Sequence, residues 1–322
     1  LFGDALADYR VQLAHVAEAH NVAYFFAESR HEPLNVTFRA DLAARELTPI
    51  YKGMYGAYAA GANDDNTQVA LIEGYTAGDN VLYLWDAATG QTRLLNGWPL
   101  AERAPGEAVP LTSFGATCFV PSGRGLLLTT SLFEDTYGLG WIALAEPETV
   151  ARVEVRGAVH DGLGEMENLQ HLRGNRYALQ YNIDGESWLY EGEFDEDARE
   201  MRLDAVICGR GSLRGGVMDS FNYDKAADRF ALSFSTATSP TQIYTVEGAS
   251  PGSAAGVAVA RRGCVVCVPR WAARFGPALS AVAGAGLCRA APPDLLRSRR
   301  ASEPGAAGFR LVLHATDSVS DN

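Results

Sequence analysis

The chain has 322 residues, a hydrophobic fraction of 47% and a formal net charge of −12. That length suits one large or two ordinary domains with a sizeable core. No run of 18 or more apolar residues offers a membrane-spanning helix, and an acidic body argues against a phosphate-binding surface, hence against nucleic acid as partner. The charge is uneven: residues 249–322 hold nine Arg, no Lys and four acids, a balance of +5, which leaves −17 on residues 1–248. The cysteines (Cys118, Cys208, Cys264, Cys267, Cys288) are odd in number and show no framework spacing, which fits a reducing, cytoplasmic setting. The chain opens on Leu1 with no basic-then-apolar leader, so a fragment of a longer protein is expected.

In chain order, Asp4 to Ala19 comes first and carries the one helical periodicity; it reads as a helix, with part of a sixth blade over residues 1–21 as the alternative. From Val22 a single layout recurs five times. An apolar strand is followed by turn residues, and a second strand then runs into an acidic or small residue and another turn. The first strands are VAYFFAES (from Val22), QVALIEGY (Gln68), GLLLTTSL (Gly125), RYALQYNI (Arg176) and RFALSFST (Arg229). The second strands end at Asp41, Asp86, Ala145, Glu193 and Glu247, at spacings of 45, 59, 48 and 54. Val, Tyr, Phe, Leu and Trp with partial period-two alternation are strand chemistry. Turn residues such as AATGQ after Asp86 and DGES before Trp188 punctuate them. A unit of roughly 50 residues and four strands, repeated around a ring, is a β-propeller blade. The expected fold is therefore all-β, a propeller of five or more blades over residues 1–248; a β-sandwich is the rival.

The search for chemistry assigns no catalytic, cofactor-binding or metal residue. No Gly-x-Ser-x-Gly elbow occurs, and Ser212 and Ser220 have the wrong neighbours. The histidines (His15, His20, His31, His160, His171, His314) form no His-Glu-x-x-His pair. His160–Asp161 with Glu165 and Glu167 suggests a metal cluster, but a solvated loop between blades is the favoured reading. FDEDARE, Phe194 to Glu200, reads as an acidic turn rather than a calcium loop. Cys264–Cys267 matches Cys-x-x-Cys with no second pair and no βαβ context.

The segment from Asp224 to Gly248 resembles the last propeller blade of the prolyl oligopeptidase family, acylaminoacyl-peptidase type, with Ala231, Ser235, Pro240, Ile243 and Tyr244 filling the pattern. VLYLWDAATGQTRLL, Val81 to Leu95, is similar to blade ends of that family and of many other propellers. The resemblance covers roughly residues 22–248. It implies an α/β-hydrolase domain directly after the blade, with an oxyanion segment, a Ser nucleophile, an Asp and a His. It implies short or N-acylated peptides as substrates, and a propeller that restricts access to the nucleophile.

None of that is legible in residues 249–322, where 40 of 74 residues are Ala, Gly, Arg or Pro. Those residues belong to codon boxes whose first two bases are G or C, the mixture a GC-rich gene gives when read out of frame. Shifted by one base, WAARFGPALSA (Trp271 to Ala281) and AAPPDLLRSRRA (Ala290 to Ala301) permit, in order, segments similar to the family's opening hydrolase strand and its His-Gly-Gly oxyanion strand. The expectation is a frameshift within the codons for Gly248 to Cys264. A genuine Ala/Arg-rich tail is the alternative. Two other functions stay open: a non-enzymatic propeller that binds a protein partner, and a propeller hydrolase with a central metal. The second needs inward-facing Asp, Asn, Glu or His from several blades, and the spacing shows no such set.

Overall fold

A computed structural model describes residues 2–248 and the backbone of 261–262. The strands group into five separate sheets. Blade 1 is β1 (Tyr9–Ala17), β2 (Val22–Ser29), β3 (Asn35–Asp41) and β4 (Glu46–Gly53); blade 2 is β5 (Ala57–Ala62), β6 (Gln68–Thr76), β7 (Asp79–Asp86) and β8 (Gln91–Asn96). Blade 3 is β9 (Phe114–Phe119), β10 (Gly125–Thr130), β11 (Gly138–Ala143) and β12 (Glu146–Arg152). After β13 (Glu154–Arg156), blade 4 is β14 (Gly164–Arg173), β15 (Arg176–Ile183), β16 (Glu186–Asp195) and β17 (Glu200–Cys208). Blade 5 is β18 (Gly216–Asp224), β19 (Arg229–Thr236), β20 (Ser239–Glu247) and β21 (Arg261–Arg262). Each blade is an antiparallel meander in chain order, and together they make a β-propeller. The sandwich alternative is set aside, because five small sheets stand where two large ones were required.

The ten strands read from the sequence are the second and third of each blade. They are the ones with apolar residues on both faces: β6 buries Val69, Leu71 and Ala70, Ile72 in succession, and β10 is buried along its whole length. Four cores lie between consecutive blades. Val22 and Tyr24 meet Val69, Leu71 and Trp85; Ile72 and Leu84 meet Phe114, Leu126 and Leu128. Leu127 and Trp141 meet Met166, Tyr177 and Tyr190, while Leu172 and Leu189 meet Phe230, Leu232 and Phe234. No such core joins blade 5 to blade 1 among the described residues; Ala27, Val36 and Phe38 instead pack with Leu6, Tyr9 and Leu47.

The helical reading of residues 4–19 is corrected: Tyr9–Ala17 is a strand paired along β2 from Tyr9↔Ser29 to Ala17↔Val22, with a bulge between Leu13 and His15. Only Glu18–His20 makes a single 3-10 turn. Tyr9, Val11 and Leu13 fit a period of two as well as the helical one. A helix this short is marginal alone, whereas as a strand the segment completes the blade and sets Tyr9 edge-on against Phe38 at 5.8 Å. The segment belongs to the first of the five blades, and the described residues show no sixth.

The turns show why acidic residues follow the strands. In DLAAR, DAATG, DEDAR and DKAAD the aspartate (Asp41, Asp86, Asp195, Asp224) accepts backbone N–H groups two or three residues on. The fifth residue (Arg45, Gly90, Arg199, Asp228) closes the turn with φ between 49° and 65°. An Asx-type turn needs a short acceptor at its start and a left-handed residue at its close.

One strand joins two blades. β12 lies on the outer edge of blade 3, and after Val153 the chain continues as β13, parallel to β17 on the outer edge of blade 4. This strap leads into a loop, residues 157–163, that returns to the start of β14.

Candidate functional site

In an antiparallel meander the connections between blades and the turns between second and third strands share one end of the molecule. The remaining turns share the other. The first set comprises residues 30–34, 54–56, 77–78, 97–113, 131–137, 157–163, 184–185, 209–215 and 237–238. Seven of the eleven exposed large apolar side chains among the described residues lie in these segments, Met54, Tyr55, Trp98, Leu100, Leu111, Val159 and Leu163, while Val11, Tyr58, Leu94 and Val217 lie on strands. An apolar concentration of that kind on one end marks an interaction face.

Local polar chemistry holds the face in place. Arg103 donates two hydrogen bonds to Asp79, at 2.7 Å each, and lies over the Tyr75 ring at 5.0 Å. The two side chains are only 11% and 15% exposed, so the pair is a fixed strut and not a loose surface bridge. Asn80 N–H donates to Thr112 O at 2.8 Å, Thr112 N–H to Gly78 O at 2.9 Å, and Phe114 N–H to Asn80 Oδ1 at 3.0 Å. The long connection at 97–113 is thus clamped at its far end, with Trp98 and Leu100 presented outward. Beneath it, buried Glu73 accepts from Tyr75 at 2.8 Å and Tyr83 at 3.3 Å. Burial, then the Glu73 contact, pushes the Tyr51 and Tyr75 hydroxyls far above their ordinary range, so both stay protonated donors.

Between blades 3 and 4 the returning loop places His160 among three aromatic rings. Its centroid lies 5.0 Å from Tyr181, 5.7 Å from Trp188 and 5.6 Å from Tyr190. Its Nδ1 is 2.7 Å from the Tyr190 hydroxyl. Burial lowers the imidazole pKa, with Asp161 acting in the opposite sense. Gly157 and Gly162, at φ of 87° and 128°, let the loop turn in and out of the groove. The loop between the blades is solvent-exposed, as read from the sequence, at residues 157–159 and 161–163, while His160 alone is half-buried against the three rings. Glu165 accepts the Tyr137 N–H at 3.1 Å, and Glu167 accepts from Gln180 at 2.9 Å and Asn182 at 3.1 Å. Among the described residues no group of three metal-binding side chains converges.

The other singled-out residues are dispersed. His15 stacks on Tyr24 at 6.3 Å, His31 meets Asp8 at 3.2 Å, and His171 meets Gly174 O at 2.7 Å. Ser220 is paired with Ser233 at 3.1 Å, and Ser212 sits in the turn Gly211–Leu213. Glu196–Arg199 forms the acidic turn read in FDEDARE. Burial pushes the Cys118 and Cys208 thiols up to about 12, which makes them poor nucleophiles. Cys264, Cys267, Cys288, His314 and the out-of-frame reading of residues 249–322 lie outside the described residues. Sequence reasoning missed the Glu73–tyrosine cluster and the apolar face. The tyrosines sit on different strands with no linear spacing, but Trp98, Leu100 and Leu111 in one long loop were a usable signal.

The fold and this face define a β-propeller with an apolar connection end. No protein-family model and no curated protein sequence matches the chain. Among solved structures it is similar to prolyl oligopeptidase B from Galerina marginata, at 12% identity and a TM-score of 0.51, covering 74% of this chain and 32% of that one. It is also similar to TolB from Acinetobacter baumannii, at 14% identity and 0.49, covering 75% and 52%. An oligogalacturonate lyase in complex with manganese matches at 13% identity and 0.46, covering 69% and 58%. The chain thus spans between about a third and three-fifths of the length of these structures, and the likeness is one of fold.

Proposed function

We propose that this chain is the non-catalytic propeller portion of a serine peptidase of the prolyl oligopeptidase family, which when intact hydrolyses short or N-acylated peptides. The observation that carries the reading is the last blade. Ala231 and Ser235 fall on β19, and Pro240, Ile243 and Tyr244 on β20, so the family-like pattern occupies the central hairpin of blade 5. The likeness to prolyl oligopeptidase B supports the fold this requires. The apolar connection end, toward which β21 runs back along β20, supports a covering domain. In such an enzyme the chemistry belongs to the covering domain: a Ser attacks the carbonyl, a His takes its proton, an Asp orients the His and backbone N–H groups hold the oxyanion. The propeller's part is to narrow the approach.

Residues 249–322 are, on this reading, the out-of-frame start of that domain. Two measurements test it. The chain as given takes no fluorophosphonate label, while a chain with the frame restored after Gly248 labels one serine stoichiometrically. An uninterrupted frame at the locus, with no hydrolase-coding sequence downstream in any frame, overturns the reading. It would leave a protein-binding propeller, which the apolar face favours.

A further inference from the structure

Between blades 3 and 4, on the connection end, two cavities adjoin. The first, of about 320 Å³, is walled by Phe133, Tyr137, Leu139, Val153, Met166 and Tyr181. The second, of about 340 Å³, is lined by Asp135, Leu163, Glu165, Asn182 and Asp184, and Thr136 borders both. The walls differ in character. The first is aromatic and apolar, and its charges are matched: Glu134 pairs with Arg152, and Glu154 with Arg156. The second carries three carboxylates and no cation. Among the described residues none of Asp135, Glu165 and Asp184 forms an ion pair. Glu165 and Asp184 each accept one backbone N–H, from Tyr137 and Leu163, which leaves acceptor capacity on both. Leu163, 84% exposed, stands at the margin as an apolar shelf.

We propose that this paired cavity binds a peptide segment in which an apolar side chain fills the first cavity and an adjacent Lys or Arg places its cation in the second. Charge complementarity selects the occupant. Three unmatched carboxylates beside an apolar hollow favour a cation on a short apolar stem, and an acidic peptide meets repulsion there. The carboxylates do not converge as metal ligands do, and a guanidinium or ammonium with several donors suits their spread. The protein already makes this contact with itself: Arg152 lies over the Phe133 ring at 5.0 Å while pairing with Glu134. A cavity of this size lies at the lower end of the range for ligand sites. The site stands on the propeller's own residues, and it holds whether or not a hydrolase domain follows.

Calorimetric titration of the whole chain tests it, with three probes: acetyl-Ala-Phe-Arg-Ala-amide and the same peptide with Gln or Glu in place of Arg. The Arg peptide binds about tenfold more tightly than the Glu peptide, and raising salt removes that preference. Asp135→Asn with Asp184→Asn weakens the Arg peptide about three- to tenfold and leaves the Gln peptide unchanged. Thr136→Trp, in an exposed loop, blocks both cavities and abolishes binding of all three peptides without lowering the melting temperature. Equal affinity for the Arg and Glu peptides, no effect of the double substitution, or no binding of the Arg peptide at millimolar concentration would each overturn the proposal.

Discussion

Arg176 is the place where a single substitution should do most damage to the propeller. It sits at the start of β15 and reaches across two further strands of blade 4. Its Nε donates to Glu191 on β16 at 2.5 Å, and its two Nη atoms donate to Asp204 on β17 at 3.0 and 2.8 Å. Glu191 is 0% exposed and Arg176 only 12%. Burial alone would disfavour the guanidinium charge. The hydrogen bonds to Asp204 and Glu191 outweigh it and raise its pKa. Arg176→Met removes the cation that pairs with the buried Glu191 carboxylate. Breaking a buried pair in this way costs about 3–5 kcal/mol. At about 2–4 °C per kcal/mol for a domain of this size, the melting temperature should fall by about 6–20 °C. Asp204 is 42% exposed, so Asp204→Asn should cost about 1 kcal/mol or less. Arg176→Met combined with Glu191→Leu should regain most of the loss, because two well-packed apolar groups replace the pair. Thermal melts followed by circular dichroism of the wild type, the single variants and the double variant measure all of this. A cost below about 1 kcal/mol for Arg176→Met, or a double variant no more stable than the single, would refute the reasoning.

Two further outcomes follow from the same structure. Burial lowers the His171 pKa, with the Gly174 carbonyl opposing, so the unfolded chain takes up a proton near pH 6.5 before the native protein does. Stability should therefore hold above about pH 6.5 and fall as pH drops from there through the native value; melting temperatures at several pH values should show a shallower acid slope for His171→Gln. A Cβ at Gly125 would collide with the Trp141 ring and the Ile142 carbonyl. Gly125→Ala should thus destabilise by about 1–3 kcal/mol, read as a lower melting temperature, and an unchanged value would mean that the β10–β11 contact is looser than described.

What the sequence showed and what it hid divide along the blade. The second and third strands, such as VAYFFAES and RYALQYNI, are packed on both faces and read as near-continuous apolar runs. The first and fourth strands have at least one side in solvent. GEMENLQHLR in β14 and ELTPIYKG in β4 carry charges, amides or a proline that hide them from a hydrophobic search. The same logic misled the reading of Tyr9–Ala17, an innermost strand whose half-buried pattern also satisfies a helical period. The ion pairs and the cavities were illegible for another reason. Arg176, Glu191 and Asp204 are brought together only by register across strands, and Asp135 and Asp184 only by the meeting of loops from two blades, and no linear spacing encodes either.

The four interblade cores also set how the molecule comes apart. Among the described residues blades 2, 3 and 4 are each gripped from both sides and blade 5 from one: Phe230, Leu232 and Phe234 are buried, while Arg229 before them and Ala231 among them lie open. Units that touch only their neighbours behave as a row of coupled dominoes, in which a unit at the end is lost by breaking one interface and a unit in the middle by breaking two. Identical blades would then differ in lifetime by position alone. Amide exchange should be slowest in β10 and β15 and quicken toward β19, and the β12–β13 strap should bind blades 3 and 4 into the last pair to separate.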